Sequence, residues 1–105
     1  MKRRFIVMLN SSTNEQNEAF LAYIKETDIG WWHFISNSWL LYDAENKISA
    51  EIIRDKLMEI YPSVTNLVIE VTSPHEPWQG FGPNGGPNGD NLNMFTWLKE
   101  NWKSD

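Results

Sequence analysis

Apolar residues in this chain occur in short runs separated by polar segments, and the pattern of each run predicts an element of secondary structure. Residues 5–9 form an uninterrupted apolar run, which is typical of an interior β-strand. Residues 31–35 and 39–42 are two further apolar runs on either side of three small polar residues, which predicts a β-hairpin. Residues 66–72 are rich in β-branched side chains and predict a last strand.

Two segments with helical periodicity lie between these strands. Ser12 and Glu15 match a capping box, and the apolar residues that follow recur at spacings of three and four as far as a stop signal at residues 28–30. Ser49 is the expected N-cap of a second helix, and Pro62 is expected to end it. Each helix therefore connects two of the predicted strands.

This element order predicts an α+β fold, the ferredoxin-like two-layer sandwich of strand-helix-strand-strand-helix-strand with an antiparallel sheet. We expect the strand order 4-1-3-2, because the first and third strands are the continuous apolar runs that suit the middle of a sheet. Residues 1–73 are predicted to form this domain. Residues 74–105 are predicted to be a Gly/Pro-rich loop and a short C-terminal helix, opening at Asp90 or Asn91, that pack on the same domain.

Composition and charge narrow the classes of function. A chain of 105 residues with 41% hydrophobic residues is typical of one folded domain, and the lack of cysteine excludes disulfides and thiolate sites. The formal net charge of −5 disfavours a large nucleic-acid surface, although a local basic patch is compatible with it. The first apolar run is too short for a signal peptide and no run could span a bilayer, so we expect a cytoplasmic protein without a membrane partner.

Six tryptophans in so short a chain need burial or a function. Strand alternation places Trp32 and Phe34 on one face of the sheet and Trp31, His33 and Ile35 on the other. The face without helices must be covered by the C-terminal segment or a second subunit, or be used for binding, with base stacking as one alternative. The predicted binding surface consists of Trp31, Trp32, Phe34, Trp39, Trp78, Phe81, Asn84, Asn88 and Trp97.

Motifs for catalysis are missing from the sequence. His33 and His75 are the two histidines, and neither lies at a spacing that suggests a metal ligand, so no metal site is predicted. The chain contains no nucleophile elbow, phosphate loop or dinucleotide fingerprint. Motifs therefore predict neither a catalytic residue nor a cofactor.

Residues 32–41, 49–57 and 66–71 resemble SinR-like proteins, relatives of the small CRISPR-adaptation protein and VapD. The resemblance covers residues 4–72 and implies a ferredoxin-like homodimer. It also implies metal-dependent nuclease activity, which better-known relatives carry out with an aspartate at the end of the first strand. Asn10 occupies the matching position here, and its neutral amide cannot supply the anionic ligand that holds Mg²⁺ beside a phosphate.

Three hypotheses for function follow. The first is a non-catalytic dimeric module that binds a protein partner in a regulatory, phage-associated or defence-associated role, for example by presenting acidic charge to a basic protein. The second is a Mg²⁺-dependent endoribonuclease in which Asn10, His33 or Asp43 contribute across a dimer axis. The third is binding of a small ligand such as a nucleotide in an aromatic pocket under the glycine-rich loop.

Overall fold

The computed structural model describes residues 2–71 and 98–102 of the chain. The helices and strands, in chain order, are β1 (Arg3–Leu9), α1 (Asn14–Thr27), β2 (Gly30–Ile35), β3 (Ser38–Asp43), α2 (Ala50–Ile60), β4 (Asn66–Val71) and a short π-helix (Leu98–Trp102). Within these described ranges, no helix has the length and apolar character needed to cross a membrane.

The chain divides into two compact units, Met1–Val71 and Thr72–Asp105. The first unit contains the whole sheet and both α-helices. In the second unit, the π-helix buries the side chains of Leu98 and Trp102. The predicted helix start at Asp90 or Asn91 lies outside the described residues, and packing of residues 74–105 on the first domain stays a prediction.

The four strands form one antiparallel sheet in the order β2-β3-β1-β4. This order confirms the predicted α+β ferredoxin-like sandwich and the predicted strand order 4-1-3-2. The two strands with continuous apolar runs, β1 and β3, are the interior strands. Each of them pairs with a neighbouring strand along both of its edges.

The hydrophobic core lies between one face of the sheet and the two helices. Alternate residues of β1 and β3 are buried there, and each helix contributes a buried stripe at helical spacing. The largest fully buried core side chains are Trp39, Tyr61, Phe5, Phe20, Ile24, Leu41, Ile53, Leu57 and Val7. Three of these aromatic rings join the two layers, since Phe20 on α1 packs edge-on against Trp39 on β3 and against Tyr61, which follows α2.

The N-cap of α1 is one residue later than predicted. Thr13 caps the helix by accepting a hydrogen bond from the Gln16 amide at 3.1 Å, and the Gln16 side chain accepts one from the Thr13 N–H at 2.9 Å. The predicted pair of Ser12 and Glu15 was therefore wrong. The physical reason is that the Ser12 hydroxyl is engaged in two other hydrogen bonds, to residues outside the cap. Threonine followed three residues later by glutamine is an equally good capping box.

The other predicted boundaries of α1 and α2 are confirmed. Asp28 ends α1 in the left-handed conformation with a φ of 61°, and its N–H donates to the Lys25 carbonyl at 3.1 Å. Ser49 caps α2 by accepting from the Ile52 amide at 3.1 Å, and the helix ends at Ile60, before Pro62.

Glu70 on β4 makes a bidentate ion pair with Arg3 on β1, with contacts of 2.8 and 2.9 Å. The hydrogen bonds from Arg3 lower the pKa of the Glu70 carboxyl below its ordinary value, against an opposing effect of partial burial. A carboxyl with a lowered pKa in the folded state stabilises the fold at neutral pH. That contribution disappears as the pH falls through the folded-state pKa.

We therefore expect the Glu70→Gln variant to be less stable than the wild-type protein at pH 7 and closer to it at about pH 3. Urea denaturation at both pH values measures the difference in the free energy of unfolding. Glu45→Gln is the matched control, because Glu45 pairs with Lys47 on an exposed turn and is 72% exposed. A Glu70→Gln deficit that is the same at both pH values would contradict the assigned effect.

Candidate functional site

The sheet face that points away from the helices is ordered into three cross-strand rows by the pairing register. From one end of the sheet to the other, the rows are Ile35, Ser38, Met8 and Leu67; then Trp32, Leu40, Ile6 and Ile69; then Gly30, Tyr42, Arg4 and Val71. Paired residues of neighbouring strands share a face of the sheet, so each row runs across all four strands. The row that contains Ile35 lies at the turn end of the hairpin.

A β-bulge in β2 brings one extra residue into this face. The register changes between Trp32, which pairs with Leu40, and Ile35, which pairs with Ser38, so three steps along β2 match two steps along β3. Such a bulge lets two neighbouring residues oppose one residue of the partner strand. The predicted face of Ile35 was therefore wrong, because the bulge brings Ile35 to the same face as Trp32. Phe34 also lies on this side, because its ring is 5.4 Å from that of Trp32.

The exposed part of this face is apolar. Five large side chains at or beside the hairpin end are at least one-third exposed, namely Met8 (36%), Phe34 (45%), Ile35 (58%), Leu67 (54%) and Ile69 (41%). We call these five residues the apolar patch. Arg4 is the one charged strand residue in the three rows, and it is only 3% exposed, with its guanidinium 5.2 Å from the Tyr42 ring. The patch therefore presents apolar side chains without an exposed charge in its rows.

The predicted binding aromatics separate into three groups. Phe34 is exposed, and Trp32, on the same face, is buried. Trp31 and Trp39 lie on the helix side, with their rings 6.2 Å apart, and Trp39 is a core residue that is 1% exposed, so it is not part of a surface. The remaining predicted positions lie outside the described residues; they are Trp78, Phe81, Asn84, Asn88 and Trp97.

His33 is held in a fixed orientation beside the hairpin turn. Its ring stacks on Trp39 with centroids 3.7 Å apart and planes 5° apart, and its Nδ1 is 2.8 Å from the Ser38 carbonyl. A carbonyl only accepts, so Nδ1 carries the proton and Nε2 of the neutral ring has a free lone pair. This ring could accept a hydrogen bond from a ligand.

Asp43 lies at the other end of the sheet, where its carboxylate has a structural role. It lies opposite Arg3 at the start of β1, whereas Asn10 follows the end of that strand, seven residues and roughly 24 Å away at about 3.4 Å per residue. The Asp43 carboxylate is fully buried and accepts hydrogen bonds from the Ile48 amide at 2.8 Å and the Glu45 amide at 3.2 Å. One subunit therefore does not bring Asp43 together with Asn10 and His33.

Metal-ligating side chains are also dispersed. Across residues 2–71 and 98–102, no three histidine or carboxylate side chains form a group that could hold a metal ion. Asn10 is exposed, and its backbone N–H donates to the Thr65 carbonyl at 2.9 Å. The residues of the alternative Mg²⁺ hypothesis therefore share no site within the described part of one chain.

Sequence reasoning missed the contribution of β1 and β4 to the exposed face. Met8, Leu67 and Ile69 form much of the apolar patch, yet the predicted surface contained only aromatic residues and asparagines. The sequence of β4 contained a signal for this exposed face. Leu67, Ile69 and Val71 occupy alternate positions, so this edge strand is apolar on the face away from the helices.

The resemblance to SinR-like proteins rests on short sequence segments and stays a prediction. The ferredoxin-like architecture on which those segments lie is the one described above. Comparison with known proteins found no matching family model, no matching curated protein and no matching solved structure.

Proposed function

We propose that this chain is a non-catalytic binding module that pairs with a second copy of itself through the apolar patch. The observation that carries this proposal is the exposure of five large apolar side chains on one sheet face, in rows whose single charged residue is buried. Clusters of exposed apolar side chains mark interaction sites. A further protein partner of the dimer, in a regulatory role, stays a prediction.

The charge distribution favours a second copy as the occupant of the patch. In a two-fold dimer, residues near the axis face their own counterparts, so an exposed charge there would oppose a like charge. Because the chain has a net charge of −5, this repulsion disfavours self-association through its acidic surfaces. Exposed acidic residues of the helix layer, such as Glu51, Asp55 and Glu59 on α2, lie outside the patch rows. The patch avoids this repulsion, because its five side chains are uncharged.

The size of the contact predicts an association that depends on concentration. Complete burial of a Leu, Ile, Phe or Met side chain contributes about 1.5–3 kcal/mol, so a half-exposed one gains about 1 kcal/mol. Ten such side chains from two copies would contribute about 10 kcal/mol before the loss of rigid-body freedom, which costs about 4–15 kcal/mol. These opposing effects are similar in size. We therefore expect both monomer and dimer to be populated over an accessible range of concentration.

Leu67→Glu is expected to convert the dimer to monomer, because a two-fold contact would bury two new carboxylates facing apolar side chains and each other. We expect the dimer dissociation constant to increase by about 100-fold or more. Sedimentation equilibrium at several loading concentrations measures this constant. Leu67 is 54% exposed in the chain, so the substitution should leave the monomer folded, as far-UV circular dichroism would show.

Met58→Glu is the matched control for this test. Met58 is 57% exposed and lies on α2, so the same carboxylate is added to an equally exposed apolar position in the other layer of the fold. Met58→Glu should retain the wild-type dissociation constant. A wild-type protein that stays monomeric, or a loss of the dimer in Met58→Glu but not in Leu67→Glu, would overturn the proposed contact.

A further inference from the structure

A polar cleft of about 480 Å³ opens at the hairpin end of the first unit. Its lining comes from four parts of the chain: the connection between β1 and α1, the first half of α1, β2, and the turn between β2 and β3. The lining residues are Ser11, Ser12, Asn14, Asn17, Ser36 and Asn37, together with His33 on β2. Among the residues that the structure describes, no carboxylate, lysine or arginine lines the cleft, although the chain contains 14 acidic and 9 basic side chains.

A chain of hydrogen bonds fixes three of these side chains. The buried Tyr61 hydroxyl donates to Asn17 Oδ1 at 2.9 Å, and Asn17 Nδ2 donates to the Ser12 hydroxyl at 3.1 Å. The Ser12 hydroxyl in turn donates to Asn37 Oδ1 at 2.8 Å. The chain starts in the core and ends at the cleft, so it holds the Asn37 amide in one orientation.

This chain of bonds leaves the NH₂ group of Asn37 available as a donor. The side-chain oxygens of Asn17 and Asn37 each accept a hydrogen bond, whereas the Asn37 NH₂ group donates none within the described part of the chain. The side chains of Ser11, Asn14 and Ser36 make no hydrogen bond to the described residues either. A ligand can therefore meet the fixed N–H donors of Asn37 together with the hydroxyls of Ser11 and Ser36, which can rotate to donate.

Such a set of donors suits a group that is rich in acceptors. Each hydrogen bond from a neutral donor to an oxyanion is charge-assisted and about twice as strong as a bond between neutral groups. The lining has no carboxylate that would repel an anion or attract a cation. His33 adds an acceptor at Nε2, and a monohydrogen phosphate carries one O–H that could donate to it.

We propose that this cleft binds an oxyanion of the phosphate type, with the Asn37 amide as a principal donor. The site is separate from the contact proposed above, and neither depends on the other. The shared chemistry is a phosphoryl group, which a free phosphate or a small phosphate monoester could present.

The test is a titration of the ¹⁵N-labelled full-length protein with sodium phosphate at constant ionic strength, with sodium chloride as the blank. We expect saturable shifts of the side-chain amide signals of Asn14, Asn17 and Asn37. Asn37→Asp should weaken binding by at least about tenfold, because it replaces the donor with a negative charge and keeps the acceptor for Ser12. A dispersed amide spectrum would show that this variant is folded.

Asn46→Asp is the matched control, since it adds the same charge in the connection between β3 and α2. Asn46 accepts a hydrogen bond from Arg3 at 3.2 Å, which an aspartate can also accept. This variant should bind phosphate as the wild-type protein does. Shifts that do not saturate, or that are equally strong in Asn37→Asp, would overturn the proposal.

A parallel titration with glycerol 3-phosphate separates the two sources of the ligand. Tighter binding of glycerol 3-phosphate than of phosphate would support the site and assign it to monoesters. Equal or weaker binding with the same dependence on Asn37 would support the site and assign it to the free anion. Binding of either compound without dependence on Asn37 would place the anion elsewhere and overturn the proposal.

Discussion

Replacing Trp39 with alanine is expected to lower the free energy of unfolding by about 4 kcal/mol, which is a large part of the stability of a domain of this size. Trp39 is 1% exposed and packs against Phe20 at 5.0 Å and His33 at 3.7 Å between ring centroids. Truncation would therefore leave a large cavity between the sheet and α1. Urea denaturation followed by far-UV circular dichroism measures the loss without relying on tryptophan fluorescence.

Two further variants distinguish a core role of Trp39 from a surface role. Trp39→Phe should lose less than half as much stability, because it keeps an aromatic ring and removes Nε1, a buried donor without a partner among the described residues. Phe34→Ala should lose less than about 1 kcal/mol, since Phe34 is 45% exposed. Similar losses in Trp39→Ala and Phe34→Ala would contradict the placement of Trp39 in the core.

Asp43→Ala is expected to destabilise the protein by about 3 kcal/mol. The variant removes a buried carboxylate that accepts hydrogen bonds from the Glu45 and Ile48 amides, and it leaves the buried Ile48 N–H without an acceptor. These two bonds fix the connection between β3 and α2. The same denaturation experiment measures the loss, and it does so without any assumption about activity.

Asp43→Asn and Asp55→Ala are the comparison variants. An asparagine keeps one oxygen acceptor and turns its NH₂ group toward the other amide, so we expect an intermediate loss of stability. Asp55 is 61% exposed on α2 and pairs with Arg54 on the surface, so its removal should change stability by less than about 0.5 kcal/mol. A stable Asp43→Ala variant would show that the carboxylate is not needed for the fold. Asp43 would then again be a candidate catalytic residue.

Much of the fold could be predicted from local patterns. Residues 5–9 read as an interior strand because they lack polar positions, and β1 is interior in the sheet. Ser49 could be predicted as a cap because its side-chain oxygen bonds to an amide three residues away, which is a local interaction. The capping box of α1 was harder, since Ser12 and Thr13 both fit and the choice depends on distant residues that engage Ser12.

The candidate surfaces depend on contacts that local patterns do not encode. Alternation gave the correct faces for Trp31 and Trp32, but alternation alone does not reveal that Trp39 is covered by α1. The bulge that brings Ile35 level with Ser38 is set by strand pairing and has no clear sequence signal. The sequence therefore predicted that one face of the sheet is not covered by the helices. Which side chains form the exposed patch could be determined only from the strand register.

The polar cleft illustrates the same limit. Its hydrogen-bond chain joins Tyr61, Asn17, Ser12 and Asn37, which lie after α2, in α1, before α1 and in the hairpin turn. Each residue alone is an ordinary polar residue of a helix, turn or loop. Only the folded chain shows that these side chains are bonded to one another and that the Asn37 NH₂ group has no acceptor among the described residues.

Contact between copies through the apolar patch is tested most directly by an isotope-filtered NOE experiment. Unlabelled protein is mixed with protein that carries ¹³C-labelled methyl groups on a deuterated background. We predict NOEs between copies from the methyl groups of Met8, Leu67 and Ile69. Intermolecular NOEs confined to Ile52 and Met58 on α2, which are 47% and 57% exposed, or no such NOEs at concentrations where sedimentation shows a dimer, would contradict the account.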